Sequence, residues 1–485
     1  MNYRNLPTQI KSALLSRRLF LLGAASILAN APHRAFADNS AVTPNDFHVL
    51  KAGKTKASLV GEPDTLTSIW GYNGKNPGPT IRVKQGEKVK VRLVNNLDQP
   101  TSIHWHGVRI DNSMDGVTGL TQEPVKPGES FDYEFTAPDA GTYWYHTHNR
   151  TWEQLARGLY GLLIVEESEL PVYRDLHFVI DDWRLKNDAS LDLQSLGNLH
   201  DWAHAGRMGN VLTVNGHDNP TFQVKQGEQL RLRIVNVANS RIMQLNIADH
   251  DPWLLALDGH PVSPRKLKKG DLVIAPAQRV DLLIDAKLKS GTKSQIQFVS
   301  ARQDLNIATI EYVGDNVAEP AIFNPPKSLP LSMPHSGFDP ATSKVVELIM
   351  TGGAMGSMGR AILGGKMLGW RQLVQAKKVW AFNGVAGDLD KPLIQAKKGE
   401  TVRIDMVNNT AFPHAMHLHG HHFSVVTRND KSVEQMVWRD TELIYPNEKM
   451  SIAFLADNPG KWLFHCHMIE HQAGGMVTWL EVNKS

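Results

Sequence analysis

The chain has 485 residues, 41% of them hydrophobic, and a formal net charge of +3. That length supports two to four domains with sizeable cores, and no apolar stretch is long and charge-free enough for a mature transmembrane helix. The basic balance does not point to nucleic acid or an anionic membrane. Removing residues 1–37 takes away Arg4, Lys11, Arg17, Arg18 and Arg34 and no acid, which turns +3 into −2.

Those first residues read as an address. SRRLFLL at 16–22 is a twin-arginine pattern, followed by an apolar stretch to about Ala31 and by AFA at 35–37, a small-x-small cleavage signal. An amphipathic helix is the alternative, but 19–29 has no polar face. Cleavage after Ala37 is expected. The twin-arginine machinery exports folded proteins, often with cofactors, so a bacterial periplasm is the expected compartment. Oxidising compartments favour disulfides, yet the chain has one cysteine, Cys466. Such a residue is usually a buried, inert small hydrophobe; its neighbours argue otherwise.

Three copies of one pattern follow. VKQGEKVKVRLVNNL starts at Val83, VKQGEQLRLRIVNVA at Val224 and AKKGETVRIDMVNNT at Ala396. Each has Gly-Glu at a turn, then alternating apolar and polar residues, then Asn, which predicts a turn entering a half-buried strand. Between them lie many short alternating segments split by turn residues, such as SFDYEFTA and RVDLLID. Wide spacing excludes a solenoid and predicts three homologous β-sandwich domains. Boundaries are expected near 168–172 and near 325–340, giving domains at 38–170, 171–335 and 336–485.

In chain order, the first domain carries HWHG (His104, His106), SMDG (Asp115) and YWYHTHN (His146, His148). The second has no such pairs. Its His200, His204, His217 and His260 stand outside any motif and read as surface or loop residues; His200 and His204, at i and i+4, would share a helix face. The third opens with MTGGAMGSMGRAILGGKM at 350–367, read as a loop with a short helix. Its Met350, Met355, Met358 and Met367 suit apolar filling or Cu(I) binding. HAMHLHG (His414, His417, His419) and HCHMIEHQAGGM (His465, Cys466, His467, His471, Met476) follow.

On a strand, residues i and i+2 share a face, so each His-x-His offers two parallel imidazoles. One such pair is as readily two surface or core histidines; four in two sister domains make a metal grip. If FHCHM is extended, Cys466 faces away from His465 and His467 and serves a different ion. His471 and Met476, beyond a turn, can fold back to the cysteine's side. Cys with two His and a weak axial Met is the blue-copper set, and His414 stands apart to complete it. Zinc has no use for the thioether or for a covalent route between sites.

With these four motifs in this order, the chain resembles the three-domain multicopper oxidases: laccases, cuprous oxidases and laccase-like bacterial enzymes. The resemblance spans nearly all of the expected mature chain. It implies an all-β fold of three cupredoxin-like Greek-key β-sandwich domains and four copper ions. The type 1 copper falls to His414, Cys466 and His471 with Met476 axial. His104 and His417 fall to the type 2 copper, and His106, His146, His148, His419, His465 and His467 to the type 3 pair. The second domain, lacking ligands, would be a spacer. Asp115 would supply protons, although Asp-Gly is also a plain turn; Glu470 would orient a ligand or cap its turn. The partners implied are a phenolic, aromatic or metal-ion reductant and dioxygen, with a monomeric enzyme and no membrane.

The chain departs from the pattern at Gln472, where some relatives carry a proton-relaying carboxylate; an amide cannot ionise. Cuprous oxidases have a longer Met-rich insertion and an Asp where Thr410 stands here. An axial Met476 goes with a low or middling type 1 potential, which favours easily oxidised donors. The expected activity is a laccase-like oxidase, with a cuprous oxidase or copper-tolerance protein as the alternative. A structural relative that has lost copper would lack the ligands, and a copper nitrite reductase would usually have two domains.

Overall fold

The computed structural model describes residues 47–167, 174–315, 328–330 and 337–484. The expected signal at 1–37 and most of both expected boundaries lie outside the described residues. No described helix is long and apolar enough to cross a membrane.

The architecture is all-β, a series of sheets packed in pairs. The first pair sets Thr67–Tyr72, His48–Ala57, Lys88–Asn95 and Ser130–Thr136 against Gly78–Lys84, Tyr160–Glu166, Gly141–His146 and His104–His106. Leu50, Val91, Trp105 and Tyr145 fill the space between them. In the middle unit a six-stranded and a five-stranded sheet enclose Phe178, Leu232 and Ile284. In the last unit a sheet holding Lys344–Gly352, Thr401–Asn408 and Lys449–Leu455 faces five strands that include His414–Leu418 and Gly460–Cys466.

The repeated sequence has a repeated physical reason. Gly86, Gly227 and Gly399 all have φ near +90° (83°, 95° and 91°), the left-handed region where glycine is unstrained. The next residue, Glu87, Glu228 or Glu400, accepts the backbone N–H three positions back at 2.8, 2.9 and 2.8 Å. The closing Asn95, Asn236 and Asn408 are fully buried and serve as junctions. Each donates Nδ2–H to carbonyls of two neighbouring segments and accepts, on Oδ1, the N–H two residues on. A buried amide satisfied on both sides fixes one path for the chain leaving its strand.

The methionine-rich segment differs from expectation. Met350 lies inside the strand Lys344–Gly352, 360–363 and 366–369 pair as a β-hairpin, and the helix starts later, at Trp370–Gln375. Gly364 and Gly365, both with positive φ, make the hairpin turn that a helix over this stretch would forbid. Met350 and Met358 are buried filler, while Met355 and Met367 are exposed.

Candidate metal centre

Strand register assembles the histidines. In the first unit His104 lies opposite His146, and His106 opposite Trp144. In the last unit His417 lies opposite His465, and Met416 opposite Cys466. Alternation then sends Cys466 to one face and its two flanking histidines to the other.

On the cysteine's face, Cys466 Sγ lies 3.6 Å from His414 Nδ1 and 3.8 Å from His471 Nδ1, and the two Nδ1 atoms are 3.0 Å apart. The far ring nitrogens are committed: His414 Nε2–H donates to Thr410 Oγ1 at 2.8 Å, and His471 Nε2–H to the His204 carbonyl at 2.6 Å. Those bonds select the tautomers that aim both Nδ1 lone pairs at the sulfur. Met476 is fully buried beside them, its carbonyl accepting Cys466 N–H and its N–H bonded to the His471 carbonyl. Burial pushes the Cys466 thiol up to about 12 and His471 down to about 4. A thiol so raised ionises only when a cation replaces its proton.

The opposite face holds eight buried histidines, four from each outer unit. Their rings interleave: His104 stacks on His419 with centroids 3.8 Å apart, and His106 on His417 at 3.7 Å. His419 Nε2 is 3.1 Å from His465 Nε2, and His146 Nε2 is 3.4 Å from His467 Nε2. Three all-histidine sets bring their ligand atoms within 4.8 Å of one another, His104/His106/His146, His104/His417/His419 and His148/His419/His465, and a fourth joins His106 and His417 to Asp440. Burial above all, then neighbouring imidazoles, holds His106, His146, His148, His419, His465 and His467 well below the usual histidine range. They are therefore neutral, with lone pairs to offer. His104 Nε2, His106 Nδ1, His148 Nε2, His417 Nε2 and His467 Nδ1 have no hydrogen-bond partner. Buried polar atoms are almost always paired, so this convergence of orphans is what a multi-metal centre needs.

Asp115 lies against the histidine cluster. Its carboxylate accepts His419 Nδ1–H at 3.0 Å, and its carbonyl accepts His104 Nδ1–H at 2.9 Å. Gly116, with φ +81°, presses on the backbone of Ile103, where a Cβ would sit 1.8 Å from the carbonyl oxygen. That close approach seats Asp115 against the histidines. Glu470 does not cap its own turn: its carboxylate accepts Asn239 Nδ2–H at 2.9 Å and Ser240 Oγ–H at 2.7 Å, both from the middle unit. It thereby anchors the turn bearing His471. Gln472 is half-buried on the same turn.

Sequence reasoning missed Asp440 and Arg279. Asp440 accepts His106 Nε2–H at 3.0 Å on its carboxylate and His417 Nδ1–H at 2.9 Å on its carbonyl. Burial alone would raise its carboxyl, but Arg279 and then His106 outweigh it and hold Asp440 well below the carboxylate range. Arg279 and Thr441 occupy its oxygens, which suits it to orienting His106 and His417. Nothing in the spacing of WRDTEL marks it. The middle unit, expected to be a spacer, thus supplies Arg279, Asn239, Ser240 and the His204 carbonyl.

Of the four motif-free histidines, His217 and His200 are exposed and His204 half-buried, but His260 is fully buried. The last unit covers it, with the His422 ring 4.1 Å away. That packing between units is invisible to local sequence.

Three family models, each described as multicopper oxidase, match residues 54–170, 174–311 and 367–485. A solved multi-copper oxidase from Pseudomonas thermotolerans superposes with TM-score 0.77 at 32% identity, over 90% of this chain and 99% of that one. A solved multicopper oxidase from Campylobacter jejuni, titled a metallo-oxidase, gives TM-score 0.74 at 26% identity over 92% and 93%. Multicopper oxidase MmcO of Mycobacterium tuberculosis is 27% identical over 93% of this chain and 88% of its own length. Taken with the paired histidine clusters and the Cys466 pocket, these likenesses establish that the chain belongs to the multicopper oxidase family of copper-binding oxidoreductases.

Proposed function

We propose that the protein is a laccase-like oxidase that takes single electrons from phenolic, aromatic or metal-ion reductants and reduces dioxygen to water. His414, Cys466, His471 and Met476 would hold a type 1 copper. His104 and His417 would hold the type 2 copper, and His106, His146, His148, His419, His465 and His467 the type 3 pair. Bound there, the four coppers supply one-electron acceptance at the first site and four-electron dioxygen reduction at the second.

The observation that carries this reading is Cys466 between His465 and His467. The cysteine faces one pocket while its neighbours face the other, so two short backbone paths join the sites. Thr410 and the His204 carbonyl fix the ligand tautomers in the first pocket, and Asp440 does so in the second. Complete burial keeps bulk water out. Asp115, bonded to His419, is the acid placed to pass protons inward. The twin-arginine pattern at 16–22 supports work in a periplasm after export.

A cuprous-ion donor is the second reading, favoured by the exposed Met355 and Met367 thioethers. Oxygen uptake by copper-loaded enzyme, measured with a methoxyphenol and with chelated Cu(I), tests both. Uptake with either supports an oxidase and ranks the donors. A fully copper-loaded protein silent with both sinks the reading. Cys466→Ser is the colourless, inactive control.

A further inference from the structure

The helix Leu199–Ala203 of the middle unit ends against the last unit. A helix leaves its final carbonyls without partners of its own, and here the last unit supplies them. The Trp202 carbonyl accepts Trp380 Nε1–H at 2.6 Å, the Ala203 carbonyl accepts Ala354 N–H at 2.7 Å, and the His204 carbonyl accepts His471 Nε2–H at 2.6 Å. Three consecutive carbonyls of one unit thus hold the other, two of them through side chains that border the Cys466 pocket.

Of these donors, Trp380 has no part in the ligand set, yet its fully buried indole touches two members of it. Its ring centroid lies 4.5 Å from that of His471, with planes at 46°, and 5.2 Å from that of His414, edge to face at 82°. Glycines clear its place: a Cβ at Gly353 would sit 2.3 Å from the indole Cη2, and one at Gly474 would sit 2.8 Å from Cδ1. The backbone is tied to the same turn, Trp380 N–H donating to the Gly474 carbonyl at 3.1 Å, two residues before Met476. A buried indole N–H needs an acceptor, and the Trp202 carbonyl provides it. Close packing and that one bond leave the ring a single pose.

We propose that Trp380 is a positioning residue for the type 1 site, which passes the grip of the middle unit's helix to the rings of His414 and His471. The proposal rests on the type 1 assignment above. Each imidazole is pinned at its far nitrogen, by Thr410 or by the His204 carbonyl, and one bond still lets a ring swing about it. The indole stands beside both rings and blocks that swing. Ligands held from two sides keep the arrangement the protein sets rather than the one a bound ion would choose. The middle unit then acts on the type 1 site through a side chain of the last unit as well as through its own carbonyl.

Trp380→Phe keeps a ring but removes the Nε1–H bond to the helix, and Trp380→Leu removes both. Copper-loaded wild type and variants are compared by chelator competition, visible absorption and electron paramagnetic resonance. Type 1 copper affinity should fall about tenfold in Trp380→Phe and about 100-fold in Trp380→Leu. The type 1 hyperfine splitting should widen in the same order, with the type 2 signal as in the wild type. Trp380→Phe is the milder change and decides the matter alone where Trp380→Leu fails to fold. A Trp380→Phe protein with the wild-type type 1 spectrum and affinity overturns the proposal, whatever its stability. So does a loss of the type 2 signal equal to the type 1 loss, which marks general unfolding rather than misplaced ligands. Failure of the type 1 assignment looks different: the wild type itself would then show no blue band when loaded with copper.

Discussion

Arg279 places two guanidinium nitrogens on the carboxylate of Asp440, at 2.8 and 2.5 Å, with both side chains fully buried. One residue comes from the middle unit and the other from the last, and Asp440 in turn holds His106 of the first. A single ion pair therefore ties three parts of the chain to the ligand geometry. Removing one partner of such a pair leaves an uncompensated buried charge. Arg279→Met is expected to cost about 3–5 kcal/mol of stability. Urea unfolding checks this, and a parallel Arg279→Met/Asp440→Leu double variant should recover part of the loss.

Asp115 makes a separable prediction. Asp115→Asn keeps an acceptor for His419 Nδ1–H but cannot carry a proton. Turnover is expected to fall about 100-fold while the type 1 absorption and copper content stay as in the wild type. Steady-state oxygen uptake and metal analysis on one sample separate that outcome from a misassembled centre.

How much of this was legible in the sequence depends on range. The twelve residues proposed as ligands could be singled out because strand periodicity and the family motifs mark them locally, and in the structure they lie buried on the two faces of the Cys466 strand and its neighbours. Turn and strand signals at 83–97, 224–238 and 396–410 were equally local. Arg279, Asp440 and the buried His260 could not be read, because their roles arise from contacts between units separated by more than 100 residues. The hairpin at 360–369 was misread because methionine and alanine favour helix, and tertiary pairing with a Gly-Gly turn overrode that preference.

Thr410 bears on the type 1 pocket. Thr410→Val removes the acceptor of His414 Nε2–H and leaves that donor buried and unpaired. Type 1 copper affinity should fall about 10–100-fold, read by chelator competition against the blue band. An unchanged affinity would show that packing alone orients the ring.

Stability of the copper-free protein should depend on pH through histidines outside the ligand set. Burial, then Arg109, lowers His422 to about 3; burial, then Arg82, lowers His177 to about 4. The unfolded value is 6.5 for both, so the unfolded chain binds more protons between those limits. The stability these groups contribute is complete above pH 6.5 and drains as pH falls from there toward 4. Each adds a slope of about 1.4 kcal/mol per pH unit inside the window. Urea midpoints taken between pH 8 and 4 should decline in that direction; a flat profile would refute buried neutral histidines.

The central claim is that one cysteine and its flanking histidines join two copper sites. The most direct measurement is metal analysis with electron paramagnetic resonance on copper-loaded wild type and Cys466→Ser. The account predicts four coppers and a blue type 1 signal in the wild type. In the variant it predicts loss of that signal alone, with the type 2 signal retained and oxygen reduction abolished. A Cys466→Ser protein that keeps the blue signal, or that still reduces dioxygen at the wild-type rate, would contradict it.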